Sequence, residues 1–336
     1  MYVNKKRGVE MKRLFSGAQP TGTLHIGNYL GAIKNWVDLQ EKYECVFSIV
    51  DYHSLTINYE KEDMKKRIID LAATYLACGI DPERCKLFVQ SWIKEHTELM
   101  WILSCVTPMG ELNRMTQFKD KSSKNVGNVN LGLYAYPVLQ AADIILYKSE
   151  FVPVGEDQVQ HIELTREIVR KFNARYNTDI FPEPQEILSS SKRILGIDGE
   201  NKMSKSLNNH IGLDDDDKTI QQKLMQAKTD PARVRKTDPG NPAVCNVFSW
   251  HKIFSTENEI SECAKGCVDA SIGCVQCKKI LLSHMKELIT PIREKKAQIL
   301  KDTDYIKDVL VEGAKKCDII AKNTINEVRE VIGVKI

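Results

Sequence analysis

Two short segments carry residue types suited to handling a nucleotide. The first runs Ser16-Gly17-Ala18-Gln19-Pro20-Thr21-Gly22-Thr23-Leu24-His25-Ile26-Gly27-Asn28. It follows the apolar pair Leu14-Phe15 and leads into a helix expected over Tyr29 to Leu39. Small residues between a strand and a helix expose backbone N–H groups beside a helix N-terminus, which attracts anions. His25 and Asn28 are three apart, so one face of the first turn carries both toward a phosphate or ribose. The glycine spacing is not G-x-G-x-x-G, which sets aside a dinucleotide fingerprint. The second segment is Lys202-Met203-Ser204-Lys205-Ser206. Two lysines and two hydroxyls on a loop after Gly199 can close over a triphosphate and neutralise charge growing on departing pyrophosphate. Each string alone also reads as a turn or a solvated basic loop. Together, bracketing one α/β region, they point to nucleotide chemistry.

A third set consists of thiols. Of the ten cysteines, Cys245, Cys263, Cys267, Cys274 and Cys277 cluster in one stretch. Cys245, then Cys267 after 21 residues, Cys274 after 6 and Cys277 after 2 supply four thiolates. Such a set can hold a [4Fe–4S] cluster or a zinc ion, with Cys263 spare. Cys45, Cys78, Cys85, Cys105 and Cys317 lie among apolar neighbours and read as small core residues. No apolar secretory stretch precedes Met11, so the thiols are expected to be reduced and residues 1 to 10 to be a short extension.

These groups need a frame. Cys45-Val-Phe-Ser-Ile-Val50 is a continuous apolar run, which fits a buried parallel strand. Leu14 to Ser16, Lys86 to Gln90 and Phe151 to Val154 are shorter candidates. Helical periodicity covers Met64 to Leu76 and Asp157 to Phe172 between them. Alternating strands and helices imply an α/β, Rossmann-like, doubly wound parallel sheet. After Ser190 the pattern becomes all-helical, interrupted by Pro231, Pro239 and Pro242, and Leu281 to Ile332 shows no strand signal. Asp214 to Asp217 reads as a solvated helix N-terminus favoured by the macrodipole. With 336 residues, 42% of them hydrophobic, the chain can build about two cores. Its net charge of +3 neither demands nor excludes an RNA partner. No apolar run is long enough to span a membrane.

His-Ile-Gly-Asn and Lys-Met-Ser-Lys-Ser resemble the two signatures of class I aminoacyl-tRNA synthetases. The first signature usually ends in His; Asn28 replaces it, as is common in the tryptophan branch. Phe15-Ser-Gly-Ala-Gln-Pro-Thr-Gly22, Ile49-Val-Asp-Tyr-His53, Gly110 to Lys119, Tyr136-Pro-Val-Leu-Gln-Ala-Ala-Asp143 and Val152-Pro-Val-Gly-Glu-Asp-Gln158 are similar to that branch as well. Gln140 departs from the Met of many relatives, and Tyr-x-x-x-Gln-x-x-Asp also resembles tyrosyl enzymes, the alternative reading.

The resemblance implies ATP-dependent activation of L-tryptophan, with Mg²⁺, and transfer to tRNA(Trp). It implies catalytic roles for Gln19, Lys202 and Lys205. ATP would contact Gln19, Pro20, Thr21, Gly27, Asn28, Gly155, Glu156, Asp157, Ile194, Lys202, Met203, Ser204, Lys205 and Ser206. Asp143 would accept the indole N–H, while Phe15, Gly17, His53, Val152 and Val154 shape the pocket and Tyr136 and Gln158 fix the amino group. Without the resemblance, Asp143 reads as a helix-surface carboxylate and His53 as a structural histidine. The cysteines resemble those of an iron–sulfur bacterial variant, whose first gap is one residue longer. Such a cluster is expected to pin Pro-rich backbone beside helices that read the anticodon, with Lys278 and Lys279 placed to meet phosphates. The implied organisation is a catalytic domain over 1–190, a helical anticodon-binding domain over 191–295 and a C-terminal helix over 296–336 that packs back. A cytoplasmic homodimer with its interface around residues 92 to 135 is implied too.

Overall fold

Residues 11–56, 58–116, 129–188 and 194–335 are described by the computed structural model. Five strands pair in parallel: β1 (Arg13–Ala18), β2 (Glu44–Ile49), β3 (Lys86–Val89), β4 (Phe151–Val154) and β5 (Gln185–Leu188). Their spatial order is β3-β2-β1-β4-β5. The strand order reverses between β1 and β4, and doubly wound sheets receive ligands beyond the carboxyl ends of strands at such a point. β2 is buried along its length from Cys45 to Ile49, as a strand covered on both faces must be. β1 is longer than its apolar core suggested. Gly17 and Ala18 stay in register with Ser48 and Ile49, so the loop begins only at Gln19. β5 was not anticipated: it is a half-exposed edge strand whose polar residues break any apolar run.

The chain divides into two compact units, each discontinuous in sequence. The first comprises Met1–Gly22, Ala32–Ser190 and Ile299–Ile336. It holds the sheet with α1 (Lys61–Cys78), α2 (Glu95–Ser104), α3 (Leu131–Ile145) and α4 (Val159–Tyr176). The second comprises Thr23–Gly31 and Ser191–Gln298. Its helices are α5 (Asp217–Gln226), α6 (Asn246–Phe254), α7 (Glu257–Val268) and α8 (Cys274–Ile299). The expected helix at Tyr29 opens as a wide π turn, Tyr29–Ile33, before regular α-helix at Lys34–Leu39.

The acidic run before α5 does more than face solvent. Asp216 caps α5 by accepting from Thr219 N at 2.7 Å. Asp214 pairs with the buried Lys296 at 2.6 Å, and Asp217 meets Arg293 at 2.9 Å. The run therefore ties the start of α5 to α8.

α9 (Thr303–Val331) belongs to the first unit. It lies along edge strand β3, and a side chain at Gly313 would collide with the Leu87 carbonyl. Arg329 holds Glu98 of α2 through two bonds, 2.7 and 2.8 Å. Covering β3 in this way removes one open edge of the sheet. Among the described residues, no helix is long and apolar enough to cross a membrane.

Candidate active site and thiol centre

In the first unit, Asp143 sits on the inner face of α3 and is 1% exposed, not on the helix surface. Its Oδ1 accepts from Gln90 Nε2 and from His96 Nδ1, both at 2.7 Å. Its Oδ2 accepts from His53 Nε2 at 2.8 Å. His53 lies on the short helix Asp51–Ser54 just after β2, and Gln90 opens the turn just after β3. Both donors thus come from strand carboxyl ends. Burial works to raise the Asp143 carboxyl, but the hydrogen bonds from His53 and His96 outweigh it, and the group is held below the ordinary carboxylate range. The site keeps an anionic acceptor away from water.

Other expected pocket residues surround this group. Tyr136 meets the His53 ring edge-on, with centroids 6.2 Å apart, and its hydroxyl contacts His161 Nε2 at 2.9 Å. Phe15 on β1 stacks on Tyr147 at 5.8 Å. Val152 and Val154 are buried on the neighbouring strand β4. Gly17 admits no side chain, since a Cβ would lie 2.7 Å from the Ser48 carbonyl oxygen. Gly155 precedes a tight turn, Glu156–Gln158, in which Gln158 Nε2 donates to Asp157 Oδ2 at 3.1 Å. Gln19 and Thr21 form a turn closed by Thr21 N donating to Gln19 O at 2.8 Å, around a buried Pro20. Gln90, His96, Tyr147 and His161 were not singled out by the sequence; nothing in their local pattern separates them from core residues.

In the second unit, Gly27 and Asn28 lie with the Lys202–Ser206 loop. His25 caps the first turn: Asn28 N donates to His25 Nδ1 at 3.2 Å, and His25 N donates to Asn28 Oδ1 at 3.1 Å. Each side chain therefore bonds the other residue's backbone N–H, which fixes the first turn. Nδ1 accepts, so the ring proton sits on Nε2. The segment is fixed by Ile26 N donating to Ile211 O at 3.0 Å and Leu213 N to Leu24 O at 2.9 Å. Burial, then the charges of His210, Lys205 and Lys202, lower the His25 pKa to about 4. The imidazole is neutral near pH 7, and both lysines raise the positive potential around it.

The lysine loop is braced from inside. Met203 is buried and donates its N–H to Ile194 O at 3.1 Å, which places Ile194 beneath the loop. Asn209 Oδ1 accepts from Ser204 N at 2.7 Å, and Asn209 Nδ2 donates to Asp198 Oδ2 at 2.9 Å. The Ser204 and Ser206 hydroxyls are 2.9 Å apart. Lys202 is exposed and Lys205 half-buried. Asn209 and Asp198 escaped the sequence reading because their roles depend on the folded loop.

The thiols converge. Cys245, Cys263, Cys267, Cys274 and Cys277 line one small cavity with Thr229, Arg233 and Phe248. The tightest group is His251, Cys263 and Cys277, whose ligand atoms all lie within 4.8 Å of one another. His251 Nε2 is 3.2 Å from Cys277 Sγ. The four cysteines expected from spacing all line this cavity, but the tightest group holds only Cys277 of them and includes Cys263. Burial pushes the Cys245, Cys267 and Cys277 thiols up, so anionic sulfur there calls for a cation. Arg233 Nη1 lies 3.7 Å from Cys267 Sγ and supplies part of that charge. Lys278, expected to meet phosphates, instead turns inward: its Nζ donates to Met225 O and Ala227 O, each at 2.7 Å. Lys279 is exposed.

The profile of the family "tRNA synthetases class I (W and Y)" matches residues 9–290. A tryptophan–tRNA ligase of Deinococcus radiodurans is 48% identical over 328 residues, covering 96% of this chain and 99% of the relative. That of Thermotoga maritima is 48% identical over 322 residues, covering 94% and 98%. A crystal structure of the tryptophanyl-tRNA synthetase of Campylobacter jejuni, complexed with ADP and tryptophan, superposes with a TM-score of 0.86 at 37% identity, covering 96% and 99%. These likenesses set aside the tyrosyl alternative raised by Gln140. The chain belongs to the class I tRNA synthetases, in their tryptophan–tRNA ligase branch.

Proposed function

We propose that this tryptophan–tRNA ligase reads its amino acid through Asp143, which accepts the indole N–H. The observation that carries this reading is a buried anionic carboxylate beside the strand carboxyl ends. Indole offers one donor. A phenylalanine in its place would leave the buried acceptor unpaired, which is a strong basis for rejection. Phe15, Gly17, His53, Val152 and Val154 shape the pocket, and Tyr136 and Gln158 hold the ammonium group.

In the reaction a tryptophan carboxylate oxygen attacks the α-phosphorus of ATP in line. The bond from that phosphorus to the pyrophosphate oxygen breaks. The 2′-hydroxyl of the terminal tRNA adenosine then attacks the carbonyl carbon, and AMP departs. No covalent enzyme intermediate is needed, so the residues act by positioning and charge. Gln19, Pro20, Thr21, Gly27, Asn28 and Ile194 hold ATP, which brings Mg²⁺, with Gly155, Glu156 and Asp157 at the adenosine end. Lys202, Lys205 and the loop residues Met203, Ser204 and Ser206 take the phosphates. The positive charge that Lys205 and Lys202 add beside His25, on top of the larger effect of burial, supports this assignment.

The four cysteines Cys245, Cys267, Cys274 and Cys277 hold a [4Fe–4S] cluster, with zinc as the second reading. Their shared cavity supports either. When bound, the centre cross-links the Pro-rich backbone around residues 231–242 to α7 and α8. It serves the region 191–295, which reads the anticodon. The exposed Trp92, Trp101, Met109 and Leu131 support a homodimer interface in the 92–135 segment. The enzyme works in the cytoplasm.

Amino-acid-dependent ATP–pyrophosphate exchange tests this reading, using anaerobically purified protein with Trp, Tyr and Phe in parallel. Exchange with Trp alone, abolished in Asp143→Ala, supports it. Exchange with Tyr or Phe at comparable rates overturns Asp143 as the indole reader.

A further inference from the structure

Asp143 does not stand alone. Its Oδ1 already holds two donors, Gln90 and His96, whereas Oδ2 holds one, His53. A carboxylate offers about four acceptor sites, two on each oxygen. The open site is therefore on Oδ2, and its direction depends on how Oδ1 is pinned. His96 supplies half of that pinning from the second position of α2 and is fully buried. Both of its ring nitrogens are engaged: Nδ1 with Asp143 and Nε2 with the Tyr147 hydroxyl at 2.8 Å. Tyr147 is also fully buried, and burial pushes its phenol well above the ordinary range, so the phenol keeps its proton. A phenol proton given to Nε2 leaves the imidazole proton on Nδ1, aimed at the carboxylate. Phe88 stacks on His96 at 5.9 Å, and Phe15 stacks on Tyr147. Each ring of the relay is thus backed by an aromatic face, one of which belongs to the expected tryptophan pocket.

We propose that His96 and Tyr147 are positioning residues for tryptophan selection: Tyr147 sets the His96 tautomer, and His96 orients the Asp143 carboxylate so that Oδ2 faces the indole N–H. This inference rests on Asp143 being the indole reader. Neither residue touches the substrate. Both act through Asp143, so their loss weakens recognition of the indole donor rather than the phosphoryl chemistry. Hydrogen bonds to a charged group are the strong ones, and loss of one is expected to change selectivity roughly ten- to a hundredfold.

The test compares tryptophan with its benzothiophene analogue, in which sulfur replaces the indole N–H, in pyrophosphate exchange by the full chain. The measured quantity is the ratio of kcat/KM for the two. The variants are His96→Phe, His96→Asn, Tyr147→Phe and Asp143→Asn, each first shown folded by its thermal transition. His96→Asn keeps a donor near the Nδ1 position and is expected to restore part of the ratio lost in His96→Phe. Tyr147→Phe is expected to lower the ratio less than His96→Phe, with the effect in KM for tryptophan rather than in kcat. Equal losses for both substrates in His96→Phe and Tyr147→Phe, or no loss in either, would overturn the inference. If Asp143→Asn collapses the ratio while the His96 and Tyr147 variants keep it, only the relay fails. If Asp143→Asn keeps the ratio, the indole reading fails and the relay with it.

Discussion

Asn209 holds Ser204 from inside the lysine loop: its Oδ1 accepts the Ser204 N–H at 2.7 Å while its Nδ2 grips Asp198 at 2.9 Å. One side chain thus couples the loop that carries Lys202 and Lys205 to the turn at Asp198. A side chain at Gly196 would overlap Asn209, so that position is kept small to admit it.

Asn209→Ala is expected to lower kcat for pyrophosphate exchange roughly tenfold or more, because small misplacements of charge-stabilising groups are costly. KM for tryptophan should stay near the native value, since the Asp143 cluster shares none of these bonds. Asn209→Asp should be worse still, as it sets a carboxylate against Asp198. Steady-state kinetics check this, and an unchanged kcat in both variants would remove Asn209 from the loop's support.

The His25 pKa of about 4 makes a stability prediction with a definite sign. The unfolded imidazole, near its ordinary value of about 6.5, binds a proton that the folded one refuses. The stabilisation is therefore full above about pH 6.5 and is lost as pH falls toward 4. The difference amounts to at most about 3 kcal/mol. His25→Asn keeps an oxygen to accept from Asn28 N but removes the titration. Urea denaturation between pH 4 and 7 should show a flatter pH dependence in the variant; parallel curves would count against a neutral His25.

For the thiol centre, Cys274→Ser and Cys277→Ser should abolish bound metal, whereas Cys263→Ser should retain it. Iron, sulfide and zinc analysis of anaerobically purified protein checks both the ligand set and the metal. Iron without Cys245 but none without Cys263 would move a ligand position, a result made plausible by the close group of His251, Cys263 and Cys277.

Trp101 is 73% exposed on α2. In a homodimer built on this segment, Trp101→Glu buries an unpaired charge in the interface and should shift the protein toward monomer, with sedimentation velocity as the measurement. A variant that sediments as the native protein does would place the interface elsewhere.

Local patterns made much of this molecule legible from its residues. The apolar runs at Leu14, Cys45, Lys86 and Phe151 mark β1 to β4 because a strand covered on both faces must be apolar throughout. The strings ending in Asn28 and Ser206 and the spacing of Cys274 and Cys277 are short-range as well, so backbone geometry alone brings their members together. β5 was hidden because an edge strand tolerates polar residues. What only the tertiary structure decided are the relations across distance. Asp143 could not be told from a surface carboxylate until the parallel sheet brought Gln90, His53 and His96 to it, 53, 90 and 47 residues away in sequence. Lys278 turns inward because the end of α5 offers it two carbonyls, and Asp214 finds Lys296 because α5 and α8 are packed together. A hydrogen bond needs its partners within about 3 Å, and for residues so far apart along the chain only packing sets that distance.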